Sequence, residues 1–201
     1  AGLDNAFHVV YANPYSAWRF QQERGFIPVA KPIEVCDETL LVARAGTPPD
    51  PSDGLTIASA TDKLIVHFLG LTLLDQLKWP VKKMRYEFVG NHLKAVQAVL
   101  GGKARAGFVF NETWNGLSAN SRAELQVLAE TRSRQACHCF CVGPALADRL
   151  PEIQTLLCGM HEDPAGRRVL EDLRFQGFEP LKVDALGALG GLFPAEATAS
   201  A

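Results

Sequence analysis

The chain has 201 residues, 47% of them hydrophobic and 21% charged, with a formal net charge of −2. That length builds one large domain or two small lobes around a sizeable core. The balanced charge argues against a nucleic-acid or membrane-surface role, and no apolar run reaches the ~18–20 residues that span a bilayer. Five cysteines, Cys36, Cys137, Cys139, Cys141 and Cys158, cannot close an even disulfide framework and lack zinc-type C-x-x-C spacing. There is no initiator methionine and no signal peptide pattern, so the sequence reads as a processed form or an excised piece.

Taken in order, Phe7–Tyr11 reads as a strand, Asn13-Pro14 as a turn, and Tyr15–Arg24 as a helix stopped by Gly25. Ile27–Ala30 and Glu38–Ala43 are aliphatic strands. Gly46-Thr-Pro-Pro-Asp-Pro-Ser-Asp-Gly54 is the strongest breaker cluster and suggests a lobe boundary near residue 50. Leu55–Ala58 then forms a strand, and Ser59-Ala60-Thr61-Asp62 carries N-cap chemistry for a helix over Leu64–Leu77. Met84–Val89 is the next strand.

The most telling stretch follows, from Phe88 to Phe110. Gly90-Asn91-His92 is a polar turn after a strand, and Leu93, Val96, Val99 and Leu100 fall at the spacing of one buried helix face. Gly101-Gly102 supplies the left-handed stop, and Ala106–Phe110 is a second buried strand. A turn between a strand end and a helix N-terminus is where open α/β sheets bind ligands, and its N–H groups favour anions. Asn111–Ala123 is loop-like, Leu125–Glu130 and Phe140–Val142 are extended, and helices follow over Ile153–Met160 and Asp163–Leu173. Strands alternating with helices imply an α/β fold with mostly parallel sheets. The expected division is residues 1–50 with 130–185 as one lobe, 51–129 as the other, and 186–201 as a flexible tail.

These motifs resemble the phosphonate/phosphite/phosphate-type periplasmic solute-binding proteins of ABC transporters, which have a two-lobed type 2 periplasmic-binding fold. Ala12-Asn-Pro-Tyr15 is similar to the family's first-lobe ligand turn, and Ile57-Ala-Ser-Ala-Thr61 to its serine-rich strand-to-helix turn. Gly90-Asn-His92 with Ala95-Val-Gln-Ala-Val-Leu-Gly-Gly-Lys-Ala-Arg-Ala-Gly107 resembles its Gly-polar-His…Ala-Val…Gly…Asp-Ala-Gly stretch. Leu128–Leu146 and Asp163–Phe178 match its last crossover and terminal helices. The resemblance implies one more β-α-β unit before this sequence, about fifty to sixty residues against the ~30 of a minimal unit. The first lobe is therefore expected to be incomplete.

The resemblance implies a periplasmic or extracytoplasmic protein that closes two lobes on a small polar ligand, an oxyanion such as a phosphonate, phosphite or phosphate. It would hand that ligand to a membrane permease or sensor, with no cofactor, metal or nucleic acid and no chemistry. The candidate ligand contacts are Tyr11, Asn13, Tyr15, Ser59, Thr61, Asn91, His92, Asn111 and Glu112. Each has a plainer reading as a cap, turn or packing residue. Asp62 competes with an anion for helix N–H groups, and with Glu112 it would suit a ligand bearing an amine. Alternatives are a sensory domain of the same fold, or an α/β enzyme using His92 and Glu112. No G-x-S-x-G, H-E-x-x-H, P-loop or G-x-G-x-x-G motif supports an enzyme. On a strand, Cys137, Cys139 and Cys141 share a face but stand ~6.5–7 Å apart by Cα, so core packing is preferred over a metal site.

Overall fold

The computed structural model describes residues 7–52 and 54–193. The chain forms two compact units, one running to Cys36 and resuming at Gln135, the other Asp37–Arg134.

The first unit opens with β1 (Val9–Ala12), α1 (Pro14–Arg24) and β2 (Ile27–Pro32). Asn13 caps α1 by accepting the Ser16 N–H at 2.9 Å, Pro14 occupies its first turn, and Gly25 ends it at φ +66°. These are the chemistries a helix needs at its start and stop.

The second unit carries β3 (Thr39–Arg44), β4 (Thr56–Ser59), α2 (Ile65–Gln76), β5 (Arg85–Phe88), α3 (His92–Leu100) and β6 (Ala106–Phe110). Two five-residue helices, α4 (Asn111–Asn115) and α5 (Ala119–Ala123), lead to β7 (Leu125–Glu130). Its sheet has the order β5-β4-β6-β3-β7. The chain then returns to the first unit with β8 (Cys139–Val142), α6 (Leu150–Cys158), α7 (Pro164–Leu173) and β9 (Phe178–Pro180). That unit's sheet has the order β1-β8-β2-β9.

The fold is α/β, but the sheets are mixed rather than mostly parallel. Among the described residues only β4–β5 and β4–β6, linked through α2 and α3, run parallel. β3 is antiparallel to β6 and β7, and every pairing in the first unit's sheet is antiparallel. The reason is topological: β1 and β2 are joined by a helix as expected, but β8 inserts between them in the opposite direction. A helical crossover dictates the direction of two strands, not which strand lies between them.

The Pro/Gly cluster also has a different place. β3, which a boundary near residue 50 assigns to the first lobe, hydrogen-bonds between β6 and β7 in the second unit. Gly46 (φ +74°) and Gly54 (φ +80°) turn the chain between two strands of one sheet. Of the expected tail, residues 187–192 form a 3₁₀ segment in which Leu189 is fully buried, and the Phe193 ring lies 4.8 Å from that of Trp18. Residues 194–201 lie outside the described residues.

Helices cover both faces of the second unit's sheet. Leu40, Val42, Ala58 and Val109 pack with Ala95, Val96, Ala98 and Val99 of α3. On the opposite face Thr39 donates through Oγ1 to the Val66 carbonyl of α2 at 2.9 Å, and Phe108 lies under Gly70. This alternation is the period-2 rule of a strand buried on both sides. On α3 the expected Val96 and Val99 are buried and Leu100 packs partly buried against the core. Ala95 and Ala98 are buried as well, while Leu93 is 50% exposed. In the first unit, Val29, Ala30, Val142 and Phe178 pack with Leu170, and Phe140, Leu150, Ile153 and Leu157 close over them.

Candidate ligand-binding site

The carboxyl ends of the parallel strands β4, β5 and β6 collect the second unit's candidate residues. The turns after β4 and β5 are tied by two backbone bonds: Val89 N–H donates to the Ser59 carbonyl and Gly90 N–H to that of Ala60, both at 2.9 Å. Gly90 has φ +91° with open space around it, a conformation that favours glycine and brings backbone to the surface. Asn91 follows as the cap of α3, its Oδ1 accepting the Lys94 N–H at 2.8 Å.

His92 opens α3 and is half-buried, its ring centroid 5.5 Å from that of Phe110 at the end of β6. Its Nδ1 is enclosed and has no hydrogen-bond partner among the described residues. Burial lowers its pKa, opposed by attraction to the Asp37 carboxylate, so the ring is neutral at pH 7. A neutral imidazole has one donor and one acceptor nitrogen. A buried nitrogen left without a partner costs free energy until a hydrogen-bonding group reaches it.

Ser59 and Thr61 are placed differently from each other. Ser59 is buried, and its Oγ lies 3.3 Å from Nδ1 of His67. His67 sits on α2 within an aromatic cage of Phe68, Tyr86, Phe88 and Phe108, ring centroids 5.2–5.8 Å away. Burial lowers the His67 pKa despite attraction to Asp62, and the same burial pushes the Tyr86 phenol up to about 12. Thr61 does not cap α2, as its position suggested. The cap is Leu64, with no side-chain bond, and Thr61 Oγ1 accepts the Lys63 N–H at 3.3 Å within a local turn. Asp62 stands beside it, its Oδ1 accepting from Thr61 Oγ1 at 3.3 Å.

Asn111 begins α4, where its Oδ1 accepts the Glu38 N–H at 3.1 Å while its own N–H donates to the Glu38 carbonyl at 3.0 Å. Glu112 is exposed in the same short helix. In the first unit, Tyr11 is 41% exposed and its ring lies 4.9 Å from Phe140 and 5.7 Å from His138. Asn13 is occupied as the α1 cap, and Tyr15 packs edge-on to Phe193 at 4.9 Å.

Two participants escape sequence reasoning. Asp37 is buried, 4% exposed, and acts electrostatically on His92, although nothing in its local sequence marks it. The Ser59–His67 pair was equally hidden, because His67 reads simply as an apolar-helix residue. Among the described residues no group of three or more His, Cys, Asp or Glu is arranged to hold a metal ion. No helix among them is long and apolar enough to cross a membrane.

The chain thus combines an α/β fold of mixed sheets with a strand–Gly–Asn–His–helix turn, and the fold is that of type 2 periplasmic binding proteins. Solved structures share it. PhnD1 from Prochlorococcus marinus, in complex with methylphosphonate, has 14% identity and a TM-score of 0.71, over 92% of this chain and 77% of its own. A binding protein component of an ABC phosphonate transporter from Pseudomonas aeruginosa has 13% identity and a TM-score of 0.67, over 98% and 75%. The periplasmic aliphatic sulphonate binding protein SsuA from Escherichia coli has 15% identity and a TM-score of 0.64, over 98% and 65%. No curated protein matches the sequence. Residues 1–186 match the family model described as ABC transporter, phosphonate, periplasmic substrate-binding protein. The chain belongs to that family, one of solute-binding proteins rather than enzymes.

Proposed function

We propose that this chain is a periplasmic protein that captures a small phosphonate-type oxyanion without chemistry and delivers it to a membrane permease. The observation that carries the ligand class is His92 at the N-terminus of α3, with an enclosed Nδ1 lacking a partner next to the open Gly90 turn. An oxyanion there accepts backbone N–H bonds from the helix start and a bond from the imidazole. Capture raises the pKa of His92, because an adjacent negative charge favours imidazolium. Binding therefore tightens as pH falls from 7 towards the free-state pKa.

Thr61 and Asn91 add a hydroxyl and an amide to the same turns, while Ser59 holds the His67 ring. Asn111 and Glu112 are proposed at the end of β6, where Asn111 fixes the backbone of Glu38. Tyr11, Asn13 and Tyr15 are proposed as ligand contacts on the family resemblance alone. Isothermal titration with methylphosphonate, phosphite, phosphate and an alkylsulfonate tests the reading. At least one phosphorus oxyanion should bind, and His92→Ala should weaken it about 10–100-fold, the worth of one charge-assisted hydrogen bond. Absence of binding to all four, or equal affinity in the variant, sinks it.

A further inference from the structure

The two chain segments that join the units run side by side. Thr39 N–H donates to Thr131 Oγ1 and Thr131 N–H to the Thr39 carbonyl, both at 2.9 Å, and Arg134 N–H donates to Glu38 Oε1 at 2.6 Å. At the first-unit end of the same segments, the sulfurs of Cys36 and Cys137 lie 2.9 Å apart, across a sequence separation of 101 residues. That is inside the ordinary contact distance of two sulfurs and about 0.9 Å from the ~2.05 Å of a disulfide bond. Cys36 is half-buried and reachable, whereas Cys137 is 5% exposed. Lys31 brings a positive charge to the pair. Burial works against its charge but is outweighed by the Glu179 carboxylate and by the Cys137 and Cys36 sulfurs, so its pKa is raised.

The other cysteines contrast with this pair. Cys139 and Cys141 have sulfurs 3.6 Å apart, but both are fully buried on one strand, where alternate Cα atoms stand ~6.5–7 Å apart, at the limit for bridging. The Cys139 thiol is pushed far up by its bond to Cys141 and by burial, so it is a poor nucleophile. Cys158 is raised by burial.

We propose that Cys36 and Cys137 form a redox-active disulfide that fastens the two connecting segments together. The second unit spans Asp37–Arg134, so this bond closes a loop holding that unit whole. The oxidant is an external disulfide, either a small molecule or a protein oxidoreductase. The Cys36 thiolate attacks one of its sulfurs and releases a thiol. Cys137 then attacks the mixed disulfide and releases the second. The two chain thiols lose two protons and two electrons in total, and the external disulfide is reduced to two thiols. The periplasmic reading only names where such oxidants abound, and the chemistry itself is testable in a tube.

The reduced full-length chain is incubated with oxidised glutathione, alkylated under denaturing non-reducing conditions, digested and analysed by mass spectrometry. The expected product is a peptide containing Cys36 linked to one containing Cys137, with an intact mass lower by two hydrogens. The linked form should melt several degrees higher than the reduced form, a gain erased by dithiothreitol and absent from Cys36→Ser. A variant with Cys139, Cys141 and Cys158 all replaced by serine should still cross-link. If that variant does not fold, the peptide map of the unaltered chain decides. Recovery of Cys36 alkylated, glutathionylated or linked to another cysteine overturns the proposal. Phosphonate titration of the same oxidised sample reports separately on the ligand reading.

Discussion

Gly70 is the position where adding one methyl group should do most damage. It lies in α2, and a Cβ built there would stand 2.5, 2.6 and 2.6 Å from three ring carbons of Phe108. A Cβ is fixed by the backbone and cannot rotate away, and Phe108 is fully buried beneath it. The ring would have to retreat by about 1 Å, against His67 and Tyr86, whose centroids lie 5.7 and 6.2 Å off. Overpacking of this kind costs about 1–3 kcal/mol and at times more. Alanine regains up to ~1 kcal/mol of helix propensity over glycine. Strain wins, for a net loss of about 1–2 kcal/mol. At ~2–4 °C per kcal/mol for a chain this size, Gly70→Ala should melt ~2–8 °C lower. Gly187→Ala, where a Cβ meets nothing within 4 Å, is the control and should stay within ~0.5 kcal/mol. Circular dichroism melts and urea midpoints read both. A Gly70→Ala protein as stable as the parent would refute the packing argument.

The buried histidines make stability depend on acidity. His67 and His92 both lie below their ordinary value of 6.5 in the folded chain, so the native state binds fewer protons than the unfolded state just under that pH. Stability is then complete above pH 6.5 and falls as pH drops towards the folded-state values, by at most ~1.4 kcal/mol per pH unit for each histidine. Melts from pH 7.5 to 5 should show His92→Gln with a shallower decline than the parent, and a parallel decline counts against the assignment. Asn13→Ala should cost about 1 kcal/mol as a lost helix cap, read by urea midpoint. Asn91→Ala should cost a similar amount and in addition weaken oxyanion binding, and unchanged affinity would leave Asn91 a cap alone.

What was legible in sequence is what local chemistry determines. Gly25 and Asp163 announce helix ends because a left-handed stop and a side-chain cap are short-range needs, and both are used so. Gly90-Asn91-His92 could be placed between a strand and α3 because period and turn residues agree there. Leu93 went astray because several apolar residues on nine positions fit more than one helical phase, and packing against Ala58 and Val109 selects one. Thr61 misled because hydroxyls serve turns and caps alike. Asp37 beside His92, and Ser59 beside His67, were invisible because tertiary packing alone makes these neighbours.

The insertion of β8 between β1 and β2 has a consequence for synthesis. β1 and β2 leave the ribosome before residues 139–142 and share no ladder until these arrive to separate and pair them. The stretch 37–134 is continuous and holds all five strands of its own sheet, so it can fold while the rest is still being made. A unit whose strands are contiguous can thus form before one whose strands are split around it. The continuous stretch 37–134 can set before the segments that flank it pair with each other.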